Sequence, residues 1–163
     1  MLATLGDSRL AERAAGFALA AGAAQAAALR HPERAAAWLR ARTLRTLREQ
    51  RFGRPAGSDE RRAALASLGV DEAAYRGLAS LDLNARAALV ASGIERFDPI
   101  DVETILDAAP AATRRVVAEA RQRYMRFAAG SPDEELAPAR TGELARRVQR
   151  AATRAFSISE TPR

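Results

Sequence analysis

The chain has no cysteine and no lysine, a single histidine and a single tryptophan, and aromatic residues make up only 5% of its 163 positions. Without cysteine there are no disulfides, no thiolate catalysis and no zinc–thiolate site. A reducing, cytoplasmic location suits that composition. The lone histidine, His31, stands beside Pro32 at a helix end and reads as a surface residue rather than a base or a metal ligand. Nucleophile elbows, phosphate loops and paired-histidine metal helices are all missing. The nearest carboxylate cluster, Asp98, Asp101 and Glu103, reads as acids complementing the positive end of a helix. The sequence therefore gives no reason to expect an enzyme, a metal or a cofactor. It also lacks a long apolar run. The stretch from Phe17 to Leu29 is shorter than the roughly 20 residues a bilayer demands and follows Arg9, Glu12 and Arg13. It reads as a buried alanine-rich helix without membrane insertion.

What the chain does contain is alanine, punctuated by leucine, within an apolar fraction of 48%. Such sequence favours helix almost throughout, and no segment alternates with the period of two that a strand requires. The expected fold class is all-α. The length fits one domain or two small helical ones, each marginal alone. All 26 basic residues are arginine, for a net charge of +6. A GC-rich genome produces that preference as readily as a selected chemistry does, so distribution is more informative. Residues 1–62 hold 12 arginines against 6 acids, residues 63–110 hold 3 against 8, and residues 111–163 hold 11 against 6. Two basic segments flank an acidic one, a field that favours phosphate backbones and predicts salt-sensitive binding.

Along the chain, Asp7 is placed to cap a helix reaching about Arg30, which His31-Pro32 ends because the residue before proline avoids the α region. A second helix from about Glu33 to Arg51 carries Trp38, Leu39, Leu44 and Leu47, with Arg40, Arg42, Arg45, Arg48 and Arg51 on its other faces. Trp38 on such a stripe is expected to anchor a core. Residues 52–59, with Gly53, Pro55, Gly57 and Ser58, have linker composition. Short helices follow at about Asp59–Leu68 and Asp71–Leu78. A loop around Pro132 and Pro138 precedes a final amphipathic helix from about Thr141 to Phe156, and the last few residues are expected to be disordered. The expected organisation is a helical segment over 1–52, a linker over 53–60, a domain over 61–130 and a C-terminal loop and helix over 131–163.

The most informative stretch runs from Leu78 to Met125. Asp82 opens a helix with Leu83, Ala87 and Val90 on one face, and Gly93 is expected to supply its left-handed cap. Asp98-Pro99 starts the next helix, Asp98 taking an orphan amide and Pro99 presetting φ, with Val102, Ile105 and Leu106 buried. After the break at Asp107 to Pro110, a third helix from Ala111 is expected to turn Val116, Val117, Ala120, Tyr124 and Phe127 inward and Arg114, Arg115, Arg121 and Arg126 outward. Two helices joined by a tight turn, the second basic, form a helix-turn-helix layout for reading duplex DNA.

This block resembles region 4 of the sigma-70 family, closest to the extracytoplasmic-function type. Leu81 through Leu89 corresponds to the family's Leu-Pro-x-x-x-Arg-x-Ala helix, and Arg96-Phe97-Asp98 to its Gly-Leu-Ser turn. The recognition helix begins near Ala112-Thr113. Leu10 to Phe17, His31 to Arg34 and Ala37-Trp38-Leu39-Arg40 are similar to the later part of region 2, here truncated at its start. The resemblance implies a transcription initiation factor whose partners are duplex promoter DNA, the RNA polymerase core and an anti-sigma protein. Ala112, Thr113, Arg114 and Arg115 would lie nearest the bases, with Arg121 and Arg126 on phosphates. Departures stand beside these matches. Arg13, Gly16 and Phe17 occupy positions where the family presents an Asp and a Gln-Glu pair to polymerase. Glu103 stands for a small residue, Asp107 for glycine, and Val116 and Glu119 for frequently basic positions. Two alternatives therefore remain open: a sigma-like interaction module that has lost promoter reading, and an unrelated helical scaffold.

Overall fold

The computed structural model describes residues 2–25, 27, 30–49 and 57–128, and these are helical with no strand among them. The all-α fold class is therefore observed. Of the linker expected over 53–60, residues 53–56 lie outside the described residues, as do the loop and helix expected beyond Gly130 and the C-terminal end, whereas Ser58 to Glu60 are not linker but the first turn of a helix that Glu60 helps to cap.

A short α1 (Leu2–Leu5) leads into α2 (Ser8–Gln25), whose first turn Asp7 caps by accepting from the Leu10 amide at 2.9 Å. The α2 stripe Ala11, Ala14 and Ala18 is buried against α3 (Ala35–Glu49), which a 3-10 turn over Pro32–Arg34 introduces. Alanine on the contact face lets two helix axes approach closely. On α3, Ala37, Thr43, Leu44 and Thr46 are buried. Trp38, expected to anchor the core, is only half-buried, with the Arg42 guanidinium 5.4 Å from its ring centre. Leu44, six residues on and facing α7, takes the buried position instead.

The next helices are α4 (Ser58–Ala66), α5 (Glu72–Ala79) and α6 (Leu83–Leu89). Asp71 and Asp82 cap α5 and α6, each accepting from a backbone amide three residues on at 2.8 Å. Gly93 does not end α6 as expected. The chain widens into a π turn over Val90–Ile94 that carries Gly93 inside it, and the left-handed residue is Arg96, at φ 56°. Val90 and Ile94 are both buried, and the wider turn keeps them in the core for one more turn than a cap at Gly93 would.

α6 sits at the centre. Its Leu89 and Val90 join Leu65, Val70, Leu78, Leu81, Ile94, Ala120 and Tyr124 in one apolar cluster beneath α8 (Pro110–Ala128). Its Ala87 and Ala88, with Ala91, join Ala37, Leu44, Val102, Ile105 and Leu106 in a second cluster beneath α3 and α7 (Pro99–Leu106). Packing thus crosses the expected boundary between 1–52 and 61–130. Side-chain bonds reinforce the crossing: Arg34 Nε donates to Asp101 at 2.6 Å, Arg40 pairs with Glu95, Arg45 reaches Asp107 at 3.3 Å, and Arg48 reaches Asn84 at 2.8 Å and the Leu106 carbonyl.

Candidate nucleic-acid interface

The motif selected from sequence is α7, the turn at 107–109 and α8. Pro99 fills the first position of α7, but Asp98 makes no side-chain cap, leaving proline's fixed φ to start the helix. Val102, Ile105 and Leu106 are buried, as their spacing predicted. α7 ends on Asp107 in the left-handed region, φ 55° and ψ 52°, with its amide bonded back into the last turn. Aspartate tolerates that conformation less readily than glycine. Here the strain is held by packing on both sides of the turn, Leu106 on one and Thr113 on the other.

Thr113 is a correction to the sequence reading. It is 4% exposed, its amide donates to the Ala109 carbonyl at 2.9 Å, and its hydroxyl donates to the Ala108 carbonyl at 3.3 Å. It locks α8 to the turn and is not presented to a ligand. Ala112 is half-buried beside it. The leading turn instead exposes Ala111, Arg114 and Arg115. Arg121 and Arg126, expected on phosphates, are exposed as well. So is Arg123, which the sequence reading left out. A helical phase anchored on buried Ala120 and Tyr124 gives the result: Thr113 falls on their side, and Arg123 falls outside. Phe127, expected inward, is 46% exposed, and Ala128 is buried in its place.

At 100° per residue, Arg115 and Arg126 share one line along α8 about 16 Å apart, and Arg114 and Arg121 share a neighbouring line about 10 Å apart. Glu119 is the one acid among the exposed residues of this helix. The guanidinium groups of Arg114, Arg115, Arg121 and Arg126 therefore lie on two lines about 120° apart around the helix, so a duplex laid along it meets one line with its bases and the other with its backbone. The acids of α7 are treated differently. Asp101 and Asp107 are engaged by Arg34 and Arg45 from the α3 side, so that side of the motif carries balanced charge. Among the described residues no group of three or more histidine, aspartate or glutamate side chains is arranged to hold a metal, and no helix is long and apolar enough to cross a membrane.

Comparison of the chain with protein-family models, with curated proteins and with solved structures finds no match.

Proposed function

We propose that the chain is a DNA-binding transcription factor of sigma type, with α8 laid in the major groove of promoter DNA. Arg114 and Arg115 in its leading turn meet base edges, while Arg121 and Arg126 meet phosphates. A guanidinium directed at guanine O6 and N7 is the commonest specifying contact of such a helix. The carrying observation is the outer face of α8, where Arg114, Arg115, Arg121, Arg123 and Arg126 are exposed against the single acid Glu119. The exposure of Ala111, Arg114 and Arg115 just past the left-handed Asp107 turn supports the reading.

The test is a gel shift on duplex promoter fragments at two salt concentrations, with the intact chain and with Arg114→Ala and Arg115→Ala. Binding that weakens steeply with salt, and a loss of about 1–3 kcal/mol at one base pair in one of the two variants, supports the reading. If both variants bind every sequence as the parent does, the groove placement is wrong.

A second reading has its own observation. α3 lies along α7 and covers the first helix of the motif, and a covered helix suits a module that binds protein rather than DNA. In that case the partner is the RNA polymerase core, an anti-sigma protein or a second copy, and co-purification with core polymerase in the absence of DNA distinguishes it.

A further inference from the structure

The exposed polar residues of α8 are not spread evenly around it. At about 100° per residue they span an arc of about 200°, with Arg114 and Arg121 along one edge and Arg123 along the other. The middle of the arc holds Arg115 and Gln122, about 20° apart, beside the small residues Ala111 and Ala118, which are exposed as well. Glu119 stands between that middle and the Arg123 edge. Two basic edges thus border a centre of mixed character.

A helix lying in the major groove meets a phosphate backbone on each flank and base edges along its outermost line. The basic edges suit the two flanks. The centre suits a backbone poorly, because the Glu119 carboxylate repels phosphate at close range. Alanine at 111 and 118 adds no bulk there, which lets the helix axis approach the groove floor. Arg115 and Gln122 are the long side chains on this line that carry base-reading chemistry: a forked guanidinium matches guanine O6 and N7, and a carboxamide matches adenine N6 and N7. Their separation along the axis is about 10 Å, or about three base-pair steps of about 3.4 Å. Arg126, about 16 Å along the axis from Arg115, lies past the groove's width of about 12 Å and falls to the backbone.

We propose that α8 reads its duplex through Arg115 and Gln122, on a guanine and an adenine about three base pairs apart. Arg114 and Arg121 then hold the phosphates of one strand, and Arg123 those of the other. The proposal rests on α8 occupying the major groove and narrows that reading: of the two arginines in the leading turn, Arg115 alone faces the bases.

The test is the base preference of the intact chain, measured by competition between the duplex it selects from a random pool and every single base-pair substitution of that duplex. The parent is expected to prefer one guanine and one adenine, about two to four steps apart, by about fivefold or more each. Gln122→Ala is expected to abolish the adenine preference and keep the guanine preference, and Arg115→Ala the reverse. Arg114→Ala and Arg123→Ala are expected to weaken binding to every duplex by a common factor. All four positions are exposed, so the far-ultraviolet circular dichroism of each variant should match the parent. An unchanged adenine preference in Gln122→Ala overturns the proposal. Loss of a base preference in Arg114→Ala overturns it too, while leaving groove reading by α8 standing. A parent that binds all duplexes alike, or none, overturns both.

Discussion

Gly77 packs directly against Tyr124 of α8, and its lack of a side chain lets the candidate DNA-reading helix lie close to α5. A Cβ at this position would stand 2.6 Å from both Cδ2 and Cε2 of Tyr124 and 3.1 Å from the Tyr124 carbonyl oxygen. Tyr124 is 3% exposed, so its ring has no free volume to enter, and the carbonyl belongs to the α8 backbone. Relief of Gly77→Ala therefore requires α8 itself to move. Overpacking of this type costs about 1–3 kcal/mol, and a contact involving backbone belongs at the upper end. Alanine recovers about 1 kcal/mol as the better helix former, which leaves a net loss of about 2 kcal/mol. At roughly 2–4 °C per kcal/mol for a chain of this size, the melting temperature should fall by about 4–8 °C. Gly16→Ala is the control, because nothing lies within 4 Å of its added Cβ. It should gain about 0.5–1 kcal/mol from helix propensity and rise in melting temperature. Thermal melts followed at 222 nm and denaturant titrations measure both. A Gly77→Ala chain as stable as Gly16→Ala would refute the contact. A double-mutant cycle adds a sharper criterion: in a Tyr124→Leu background the cost of Gly77→Ala should shrink by about 1 kcal/mol or more, since the two positions are directly coupled.

Three further outcomes follow from the turns and caps. Asp71→Ala and Asp82→Ala should each cost about 1 kcal/mol in denaturant titration, because both aspartates accept a 2.8 Å bond from the first turn of their helices. Asp98→Ala, at a position with no side-chain cap, should fall within about 0.5 kcal/mol of the parent, as surface substitutions do. Asp107→Gly should stabilise by about 0.5–1 kcal/mol, since relief of the left-handed strain outweighs an exposed pair with Arg45; a loss of stability would mean that the pair matters more than the backbone. Burial pushes the Arg86 guanidinium below its ordinary value, with Arg61 adding repulsion, and its Nε has no partner among the described residues. Arg86→Met should therefore be neutral or stabilising by up to about 1 kcal/mol, discounted for the partial exposure of the site.

Helix was legible in the sequence wherever a cap and an apolar stripe agreed. Asp7, Asp71, Asp82 and Pro99 start helices where they were expected to, and Val102, Ile105 and Leu106 are buried at the spacing that selected them. Gly93 misled because glycine permits a left-handed cap without requiring one, and burial of Val90 and Ile94 favoured a π turn through it. Trp38 misled for a related reason. A large aromatic on an apolar stripe reads as core, yet the inward face of α3 is set by its contact with α7, and that face carries Ala37 and Leu44. Thr113 shows what periodicity misses at a helix start. A threonine that closes a turn through its own hydroxyl looks from sequence like one available to a base.

Charge was the feature least readable in one dimension. The basic N-terminal segment and the acidic middle looked like separate parts of one field, but in three dimensions they largely cancel. Arg34, Arg40 and Arg45 are engaged by Asp101, Glu95 and Asp107, and Arg48 by Asn84 and the Leu106 carbonyl. Moving one of the first three onto a DNA phosphate strands a carboxylate beside it, so the exchange gains almost nothing. If the chain binds DNA, its salt dependence should come from α8 rather than α3, as between these two helices of the described residues. With Arg114 or Arg115 on a base, three or four phosphate contacts remain, and the slope of log K against log salt should be about −3 to −4. Recruiting Arg34, Arg40, Arg45 and Arg48 as well would steepen it beyond about −6. Arg121→Ala should flatten the slope by about 1, whereas Arg45→Ala should leave it unchanged. A parental slope steeper than −6, or a flattening by Arg45→Ala equal to that by Arg121→Ala, would mean that α3 meets DNA and that its pairs with α7 and the Asp107 turn are given up on binding.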